Sequence, residues 1–291
     1  MLYSVLMSVY KNEKVPFFRE AVDSVLNQTE RPEQIVLVRD GEVYEELQAA
    51  IDAYISEYPD IFTYVPLEVN GGLGNALRVG LLECRNELVG RMDTDDICLP
   101  DRFEQQLRFL EEHPDVDIVG GNISEFFQSP EHIVDYRIVP EQHDDIITYL
   151  KSRSPMNHMT VMFKKSTLLA ANSYEPFYLF EDWYLWVKLY LHGARFANLA
   201  SVLVNVRVLD MAKRRGGMKY YKSCLKLLKF MKANKVIGTF AYLKTAAVRF
   251  IGYVLMPNKL REWAYKKLLR KKNHVNTPVL TNENKEDAIT H

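Results

Sequence analysis

Short apolar runs alternate with helical patterns along residues 1–120, and no other feature limits the possible folds of this chain as strongly. The runs predicted as strands are 2–9, 35–38, 61–65, 88–92 and 116–119, and the predicted helices are 16–26, 43–58, 73–84 and 100–113. Strands separated by helices of this length indicate an α/β fold, a mostly parallel sheet with helices on both faces. Ligands bind such sheets at the carboxyl ends of the strands. Those ends carry Tyr10, Asp40, Asn70 and Asp93.

Charge divides the chain into segments, although the net charge is only −1. Residues 1–210 carry 18 Lys/Arg and 34 Asp/Glu, residues 211–272 carry 18 Lys/Arg and one acid, and residues 273–291 carry one Lys and three acids. We therefore predict one large domain over 1–210, a basic helical extension over 211–272 and a flexible tail over 273–291. Within the extension, helices are predicted at 218–235, 237–255 and 258–272. Such asymmetry indicates that the basic segment meets a polyanion, either a membrane surface or nucleic acid.

The cysteines and the N-terminus both favour a cytoplasmic protein. Cys84, Cys98 and Cys224 are odd in number and lack metal-binding spacing, which is typical of reduced thiols. Residues 1–10 have no basic region and too short an apolar run for a signal peptide. No stretch approaches the ~18 apolar residues that a bilayer span requires.

Three carboxylates follow the fourth predicted strand in the segment Asp93-Thr94-Asp95-Asp96. They repel one another unless a cation neutralises them, and hard oxygen ligands suit Mg²⁺ or Mn²⁺, which keep open positions for phosphate oxygens. The alternative is an acidic loop before the next helix, with Asp101 as its N-cap. The tetrad alone leaves both interpretations open.

Two further strand ends carry candidate nucleotide contacts. Asp40 can accept a hydrogen bond from a base N–H such as uracil N3, or it can simply form an Asp-Gly turn. Tyr10 can stack on the base or pack its ring. The glycines of segment 70–76 let backbone N–H groups approach a phosphate or sugar, whereas the dinucleotide spacing GxGxxG is absent. Arg78, one helical turn along, can reach a phosphate or remain solvated.

A pair of acids, Glu181 and Asp182, lies among the aromatic residues of segment 180–186. Burial in an apolar setting raises a carboxyl pKa and makes a better general base. Acids also favour the first turn of a helix, because the helix dipole is positive there. Both interpretations can hold together.

The motifs, in this order and spacing, resemble the family 2 glycosyltransferases of the GT-A fold, a Rossmann-like sheet. The matching segments are 4–10, Val38-Arg39-Asp40-Gly41, Asn70-Gly71-Gly72, Asp93-Thr94-Asp95-Asp96 and Glu181-Asp182. Segments 90–103 and 214–217, with the basic helices behind them, resemble the bacterial exopolysaccharide and O-antigen enzymes of the amylovoran-biosynthesis type. The resemblance covers residues 1–272. It implies a nucleotide-sugar half over 1–120 and an acceptor half over 121–210.

The resemblance implies a role for each matching residue. The nucleotide pocket would be lined by Ser8, Val9, Tyr10, Glu13, Asp40, Asn70, Gly72, Arg78, Asp93 and Thr94. The metal-binding DxD would be Asp93 and Asp95, with Asp96 beside them on ribose or metal. The catalytic base would be Asp182, with Glu181 as its neighbour. His158 and Trp186 would shape the acceptor side, unless they are ordinary packing. The chain departs from many relatives in having Arg39-Asp40 instead of two acids, and Arg78-Val79 instead of Arg-Asn.

The activity implied by the resemblance is metal-dependent, inverting transfer of a hexose from a UDP-sugar to a hydroxyl of a lipid-diphosphate-linked saccharide. The alternative is a non-catalytic subunit that binds a nucleotide sugar or docks other enzymes at the membrane. The retained acids at Asp93, Asp95 and Asp182 favour the enzyme. A nucleotidyltransferase would need a lysine-bearing glycine-rich loop after the first strand, and residues 10–13 do not supply one.

Lysines recur at steps of three and four through residues 219–232, while apolar residues fill another face. The predicted apolar face is Tyr221, Cys224, Leu225, Leu228 and Met231. This pattern is typical of a basic amphipathic helix, and anionic headgroups attract such a segment by ~1 kcal/mol per basic residue. We therefore expect peripheral binding to the inner face of the bacterial cytoplasmic membrane, although the apolar face can instead pack on the catalytic domain. No module that reads nucleic acid is visible, so nucleic acid is not expected as a partner.

Overall fold

The computed structural model describes residues 1–208 and 216–257 of the 291-residue chain. The predicted helix at 258–272 and the predicted tail at 273–291 lie outside these described residues. The strands are β1 Tyr3–Val9, β2 Gln34–Asp40, β3 Phe62–Leu67, β4 Leu88–Asp93, β5 Ile97–Cys98, β6 Ile118–Phe126, β7 Ile133–Arg137, β8 Met162–Lys164 and β9 Phe196–Arg207. The helices are α1 Val15–Leu26, α2 Glu45–Glu57, α3 Leu73–Glu83, α4 Arg102–Glu112, α5 His143–Leu150, α6 Lys165–Ala170, α7 Glu181–Leu191, α8 Gly217–Ala233 and α9 Thr239–Phe250.

All these strands join one sheet in the order β3-β2-β1-β4-β8-β6-β9-β5. Strand β7 lies outside this order and pairs antiparallel with β6. The first four strands are parallel, as the alternation of strands and helices predicts. Beyond β4 the sheet becomes mixed, because β8 lies antiparallel between β4 and β6. The α/β prediction is therefore confirmed, with parallel pairing confined to β1–β4 and to the β6–β9 pair.

The chain reverses its direction of winding at β1, which lies between β2 and β4. The first three strands build outward from β1 on one side, and β4 then returns to its other side. A crevice opens outside the carboxyl ends of the strands at such a switch point. Ser8 on β1 is paired in register with Asp93 on β4, so the two strand ends meet there.

Two hydrophobic cores cover the two faces of the sheet, because the strands are apolar on both sides. Along β1, Leu6 points into one core, while Val5 and Met7 point into the other. The first core holds side chains of α3, α5, α7 and α8, and the second holds those of α1, α2 and α4. Each helix of these two layers therefore has a fixed position on the sheet.

The basic helix α8 packs on the sheet domain through its apolar face. The ring of Tyr220 lies 4.7 Å from that of Phe180, and the ring of Phe230 lies 4.8 Å from that of Tyr184. Its buried residues are Tyr220, Cys224, Leu227, Leu228 and Met231. The buried face is thus turned slightly from the predicted one, since Tyr221 and Leu225 are only half-buried. Within residues 1–208 and 216–257, no helix is both long enough and apolar enough to cross a bilayer.

Candidate active site

The loops after β1 and β4 are joined by a buried threonine and a buried glutamate. The Thr94 hydroxyl lies 2.7 Å from Glu13 Oε2 and 3.2 Å from the carbonyl oxygen of Ser8. Burial raises the pKa of Glu13, and the hydrogen bond from Thr94 opposes that rise. The predicted nucleotide residues on these two loops therefore lie together, with Tyr10 partly exposed at the rim.

Asp40, at the end of β2, holds the glycine loop in place. Its carboxylate accepts hydrogen bonds from the backbone N–H groups of Gly71, at 2.7 Å, and Gly72, at 2.9 Å. The side chain of Asn70 in turn donates to the Asp40 carbonyl oxygen at 2.9 Å. Asp40 is 3% exposed, so in this structure it organises the loop. Its predicted contact with a base stays a prediction.

Gly41 permits this contact between strand end and loop. Its φ is +82°, and a Cβ atom built at this position would lie 2.7 Å from the backbone nitrogen of Asn70. Only glycine adopts this positive φ without strain, and only glycine lacks the Cβ atom that would collide with Asn70. Arg78 lies on the next helix, where its guanidinium donates to Asn75 Oδ1 at 2.9 Å and remains exposed.

The three acids after β4 form one compact cluster. Asp93, Asp95 and Asp96 each offer a carboxylate oxygen, and these oxygens lie within 4.8 Å of one another. Burial, followed by the charges of Asp93 and Glu13, raises the pKa of Asp95 to about 7. Asp96 is buried and accepts a hydrogen bond from the backbone N–H of Arg207 at 2.9 Å. The cluster therefore carries more negative charge than its surroundings neutralise, and its donor set fits a hard divalent cation.

A buried arginine lies beneath this cluster, and the sequence analysis did not identify it. Arg91 is 1% exposed and its Nη2 forms an ion pair with Asp93. Among the described residues, its Nε and Nη1 have no hydrogen-bond partner. The charge of Arg91 also lowers the pKa of Asp95 and of Asp96 against the larger effect of burial. The available signal was a charged residue inside the otherwise apolar run of β4.

The second acidic pair begins helix α7, as predicted. Asp182 accepts a hydrogen bond from Ser154 Oγ at 2.9 Å. Burial, and then the charge of Asp182, raises the pKa of Glu181 to about 7. The helix is anchored by Trp183, whose Nε1 donates to the carbonyl oxygen of Leu150 at 2.9 Å.

The buried phenol of Tyr174 relates the two acidic groups. Burial raises the pKa of Tyr174, and the charges of Asp182 and Asp93 both raise it further. The charge of Asp93 also raises the pKa of Glu181. The acids after β4 and those at the start of α7 therefore act on the same buried region, although 85 positions or more separate them along the chain.

His158 and Trp186, the predicted acceptor-side residues, lie in the core beneath this region. His158 Nε2 is 3.0 Å from the Tyr174 hydroxyl, and its ring meets that of Trp186 edge-on at 5.9 Å. Burial and the charge of Arg91 hold the pKa of His158 well below its ordinary value, which favours the neutral ring. Trp186 is fully buried. In this structure His158 contacts Tyr174, and Trp186 packs against His158. Both side chains are buried, and their predicted role on the acceptor side stays a prediction.

Solved structures share this architecture. The structure of residues 1–349 of TarS from S. aureus in complex with UDP-GlcNAc superposes with a TM-score of 0.64 at 18% identity, over 92% of this chain and 77% of that one. An open sheet of this topology, with an acidic cluster at its switch point, defines this chain as a protein of the GT-A fold.

Sequence comparison identifies the family. The profile described as "Glycosyl transferase family 2" matches residues 4–169. The amylovoran biosynthesis glycosyltransferase AmsE of Erwinia amylovora is 37% identical over 271 residues, covering 91% of this chain and 98% of that protein. The UDP-Gal:alpha-D-GlcNAc-diphosphoundecaprenol beta-1,3-galactosyltransferase of Escherichia coli is 36% identical over 271 residues, covering 92% and 97%. The chain belongs to glycosyl transferase family 2, which confirms the resemblance.

Proposed function

We propose that the chain is a metal-dependent, inverting glycosyltransferase of bacterial surface polysaccharide assembly. It would move a hexose from a UDP-sugar to a hydroxyl of a lipid-diphosphate-linked saccharide. The observation that carries the proposal is the convergence of two acidic groups, Asp93–Asp96 and Glu181-Asp182, on one buried region at the switch point of the sheet. The E. coli relative supports the substrate classes, because its name states a UDP-sugar donor and a diphosphoundecaprenol-linked acceptor.

The donor diphosphate would bind beside the cluster of Asp93, Asp95 and Asp96. A divalent cation, Mn²⁺ or Mg²⁺, would supply Lewis-acid stabilisation of the leaving diphosphate when bound there. Asp93 and Asp95 would be its protein ligands, and Asp96 would hold the loop through the backbone of Arg207. The raised pKa of Asp95 supports this assignment, because a bound cation would favour the ionised carboxylate.

The nucleotide would lie along the strand ends next to this cluster. Ser8, Val9 and Tyr10 end β1, and Glu13 with Thr94 fixes the relative position of the two neighbouring loops. The loop 70–72 would present backbone N–H groups to the donor, in the conformation that Asp40 imposes. Arg78 would reach the phosphates from α3, where Asn75 already orients it.

Asp182 would act as the general base. It would take the proton from the attacking hydroxyl of the acceptor while the bond between the anomeric carbon and the diphosphate oxygen breaks, which inverts the anomeric configuration. Ser154 orients the carboxylate by donating to Oδ2. General-base assistance of this kind is typically worth ~10²–10⁴-fold in rate. Glu181, with its pKa near 7, would carry a proton for part of the time and so limit the negative charge beside Asp182.

The enzyme would work at the inner face of the cytoplasmic membrane, where a lipid-linked acceptor is found. Helix α8 supports this location because Lys222, Lys226 and Lys229 remain exposed after its apolar face has packed on the domain. Anionic headgroups would attract these lysines by ~1 kcal/mol each. Nucleic acid is not part of the proposal.

A donor screen with a synthetic GlcNAc-diphosphate-lipid acceptor tests the proposal. UDP-hexoses and UDP-N-acetylhexosamines are incubated with the enzyme and acceptor, with Mn²⁺, with Mg²⁺ or with EDTA, and products are read by mass spectrometry. We expect transfer from one donor, with loss of activity in EDTA. Binding of UDP-sugars without transfer or hydrolysis of any donor would instead identify a non-catalytic subunit.

A further inference from the structure

Helix α9 exposes an apolar stripe on the outside of the molecule. It is followed by a π-helical turn, Ile251–Leu255, which continues the same direction. The exposed apolar side chains, with the exposed fraction of each, are Phe240 80%, Leu243 58%, Val248 60%, Ile251 53% and Leu255 62%. Their spacing, completed by the exposed Ala247, places them along one face of the helix.

The opposite face of α9 packs against the domain, and this packing leaves the apolar stripe exposed to solvent. Tyr242, Ala246 and Tyr253 pack against the first hydrophobic core. The ring of Tyr253 lies 4.7 Å from that of Tyr220, and the ring of Phe250 lies 5.2 Å from that of Tyr221. The helix thus turns Tyr242 and Tyr253 inward, while Phe240 and most of the large aliphatic side chains face outward. This is the reverse of a solvated surface helix, and a contiguous exposed apolar patch indicates an interaction site.

The charge around the stripe selects the kind of partner. Residues 217–257 contain eight Lys or Arg and no Asp or Glu. Lys244 lies within the stripe itself, and the exposed lysines of α8 lie on the neighbouring helix that α9 packs against. An apolar face within a segment that carries basic residues and no acids matches the interface of an anionic bilayer, with acyl chains below and phosphate headgroups above.

We propose that the outer face of α9 and its π-helical turn inserts into an anionic lipid bilayer, and that the lysines of α8 and Lys244 bind the headgroups around it. The inference deepens the proposed function, on which its purpose rests, because it identifies the surface that meets the membrane carrying the acceptor. The apolar stripe supplies the insertion, and the lysines alone would supply only electrostatic attraction.

The membrane-facing helix is also connected to the segment that holds the proposed base. Arg249 Nη2 donates to the carbonyl oxygen of Ser152 at 2.8 Å, and its guanidinium lies 5.9 Å from the ring of Trp183. Two residues after Ser152, Ser154 donates to Asp182. A bilayer bound to the outer face of α9 would therefore be linked, through Arg249 on the inner face, to the segment that contacts Asp182.

Vesicle flotation with the full chain tests the inference. The vesicles contain phosphatidylcholine with an equal part of phosphatidylglycerol, or phosphatidylcholine alone. The test variant combines Phe240→Gln, Leu243→Gln and Ile251→Gln. The matched control combines Leu82→Gln, Val134→Gln and Leu169→Gln, which replace exposed aliphatic residues elsewhere. Circular dichroism and thermal melts check that both variants fold like the wild type.

We expect the wild type and the control to float with the anionic vesicles, and the α9 variant to bind them about 100-fold more weakly. Lys222→Gln and Lys229→Gln should each weaken anionic binding about fivefold and leave binding to neutral vesicles unchanged. Flotation of the α9 variant at the wild-type level would overturn the inference, as would failure of the wild type to float. A wild-type dimer that the α9 variant dissociates, without vesicle binding, would assign the stripe to a second copy and also overturn it.

An activity measurement separates this inference from the proposed function. The α9 variant should transfer sugar to a water-soluble, short-chain acceptor at the wild-type rate, and lose activity only on acceptor embedded in vesicles. A wild type that floats but transfers no sugar to either acceptor would refute the proposed function and leave the membrane surface standing. A variant that loses bilayer binding and keeps equal activity on both acceptors would show that the surface does not serve catalysis.

Discussion

Replacing Arg91 by methionine tests whether a buried cation holds the acidic cluster together. Arg91 is fully enclosed beneath Asp93 and is paired with it. Methionine fills a similar volume without a charge, so the substitution removes the ion pair and leaves little cavity. Asp93, Asp95 and Asp96 then have only one another as close charged neighbours in β4 and the loop after it.

The expected loss of stability follows from the burial of the two partners. Breaking a buried ion pair by removing one partner costs about 3–5 kcal/mol. The Asp93 side chain is 28% exposed, so water screens part of this cost. In addition, the two unpartnered nitrogens of Arg91 destabilise the wild type by their desolvation, and the substitution removes that penalty. We expect a net loss of about 2 kcal/mol, a change of about 30-fold in the unfolding equilibrium constant.

Urea unfolding in EDTA measures this loss. If the free energy of unfolding falls by about 2–3 kcal/mol per M urea, the midpoint of the variant should lie about 1 M below that of the wild type. The loss should be larger at pH 8 than at pH 6. The pKa of Asp95 is raised to about 7 even though the charge of Arg91 lowers it, so removal of Arg91 raises that pKa further. A carboxyl whose folded pKa is raised destabilises the fold progressively as pH rises toward that pKa. Mn²⁺ should restore part of the loss, since it replaces the missing positive charge.

Arg102 provides the matched control, because it is equally buried but bonds to the carbonyl oxygen of Arg91 and to Gln106 instead of to an acid. Arg102→Met should also destabilise the protein, without a dependence on pH between 6 and 8 and without extra recovery in Mn²⁺. Equal responses of the two variants to pH and to Mn²⁺ would refute the role assigned to Arg91.

The remaining predictions concern the proposed chemistry and the loop that would bind the donor. Asp182→Asn should lower kcat by ~10²–10⁴-fold and leave the KM for the donor nearly unchanged; steady-state kinetics with near-normal turnover would contradict the base assignment. Asp95→Ala should abolish the increase in UDP affinity that Mn²⁺ produces, and an unchanged calorimetric titration would exclude Asp95 as a ligand. Gly41→Ala should cost about 1–3 kcal/mol of stability and raise the donor KM more than it lowers kcat, because its φ of +82° and its contact with Asn70 allow no Cβ. A wild-type melting temperature and KM for that variant would show that the loop tolerates the change.

The first half of the fold was predictable because its signals are local. The runs at 2–9 and 88–92 are apolar on both faces of the strand, and they became β1 and β4 nearly residue for residue. By contrast, β8 is three residues long, and β5 only two. Short strands such as these are defined by their partners across the sheet, and no periodicity in their own residues indicates them. Local patterns in the sequence therefore do not predict β5 or β8.

The residues of the candidate site also differ in how far the sequence predicts them. Its acids were predicted from their clustering and from family motifs, both visible in the sequence. Arg91, Ser154 and Tyr174 were not predicted, because each acts through a contact made only in the folded chain. For Asp40, the position was predictable but the hydrogen-bond partner was not. Its place at a strand end was predicted, yet its carboxylate binds the backbone of the loop 70–72. A single residue type at a strand end does not indicate which of several hydrogen-bond donors it will meet.

The segment from Leu150 to Ser154 links the proposed membrane surface to the proposed base. The carbonyl oxygen of Leu150 accepts a hydrogen bond from Trp183 on α7, that of Ser152 accepts one from Arg249 on α9, and the hydroxyl of Ser154 donates to Asp182. Two helices distant in sequence, α7 and α9, thus hold one short segment through hydrogen bonds. The basic extension therefore helps to position the segment that contacts Asp182. A family 2 domain without these helices would have to hold Asp182 by other contacts.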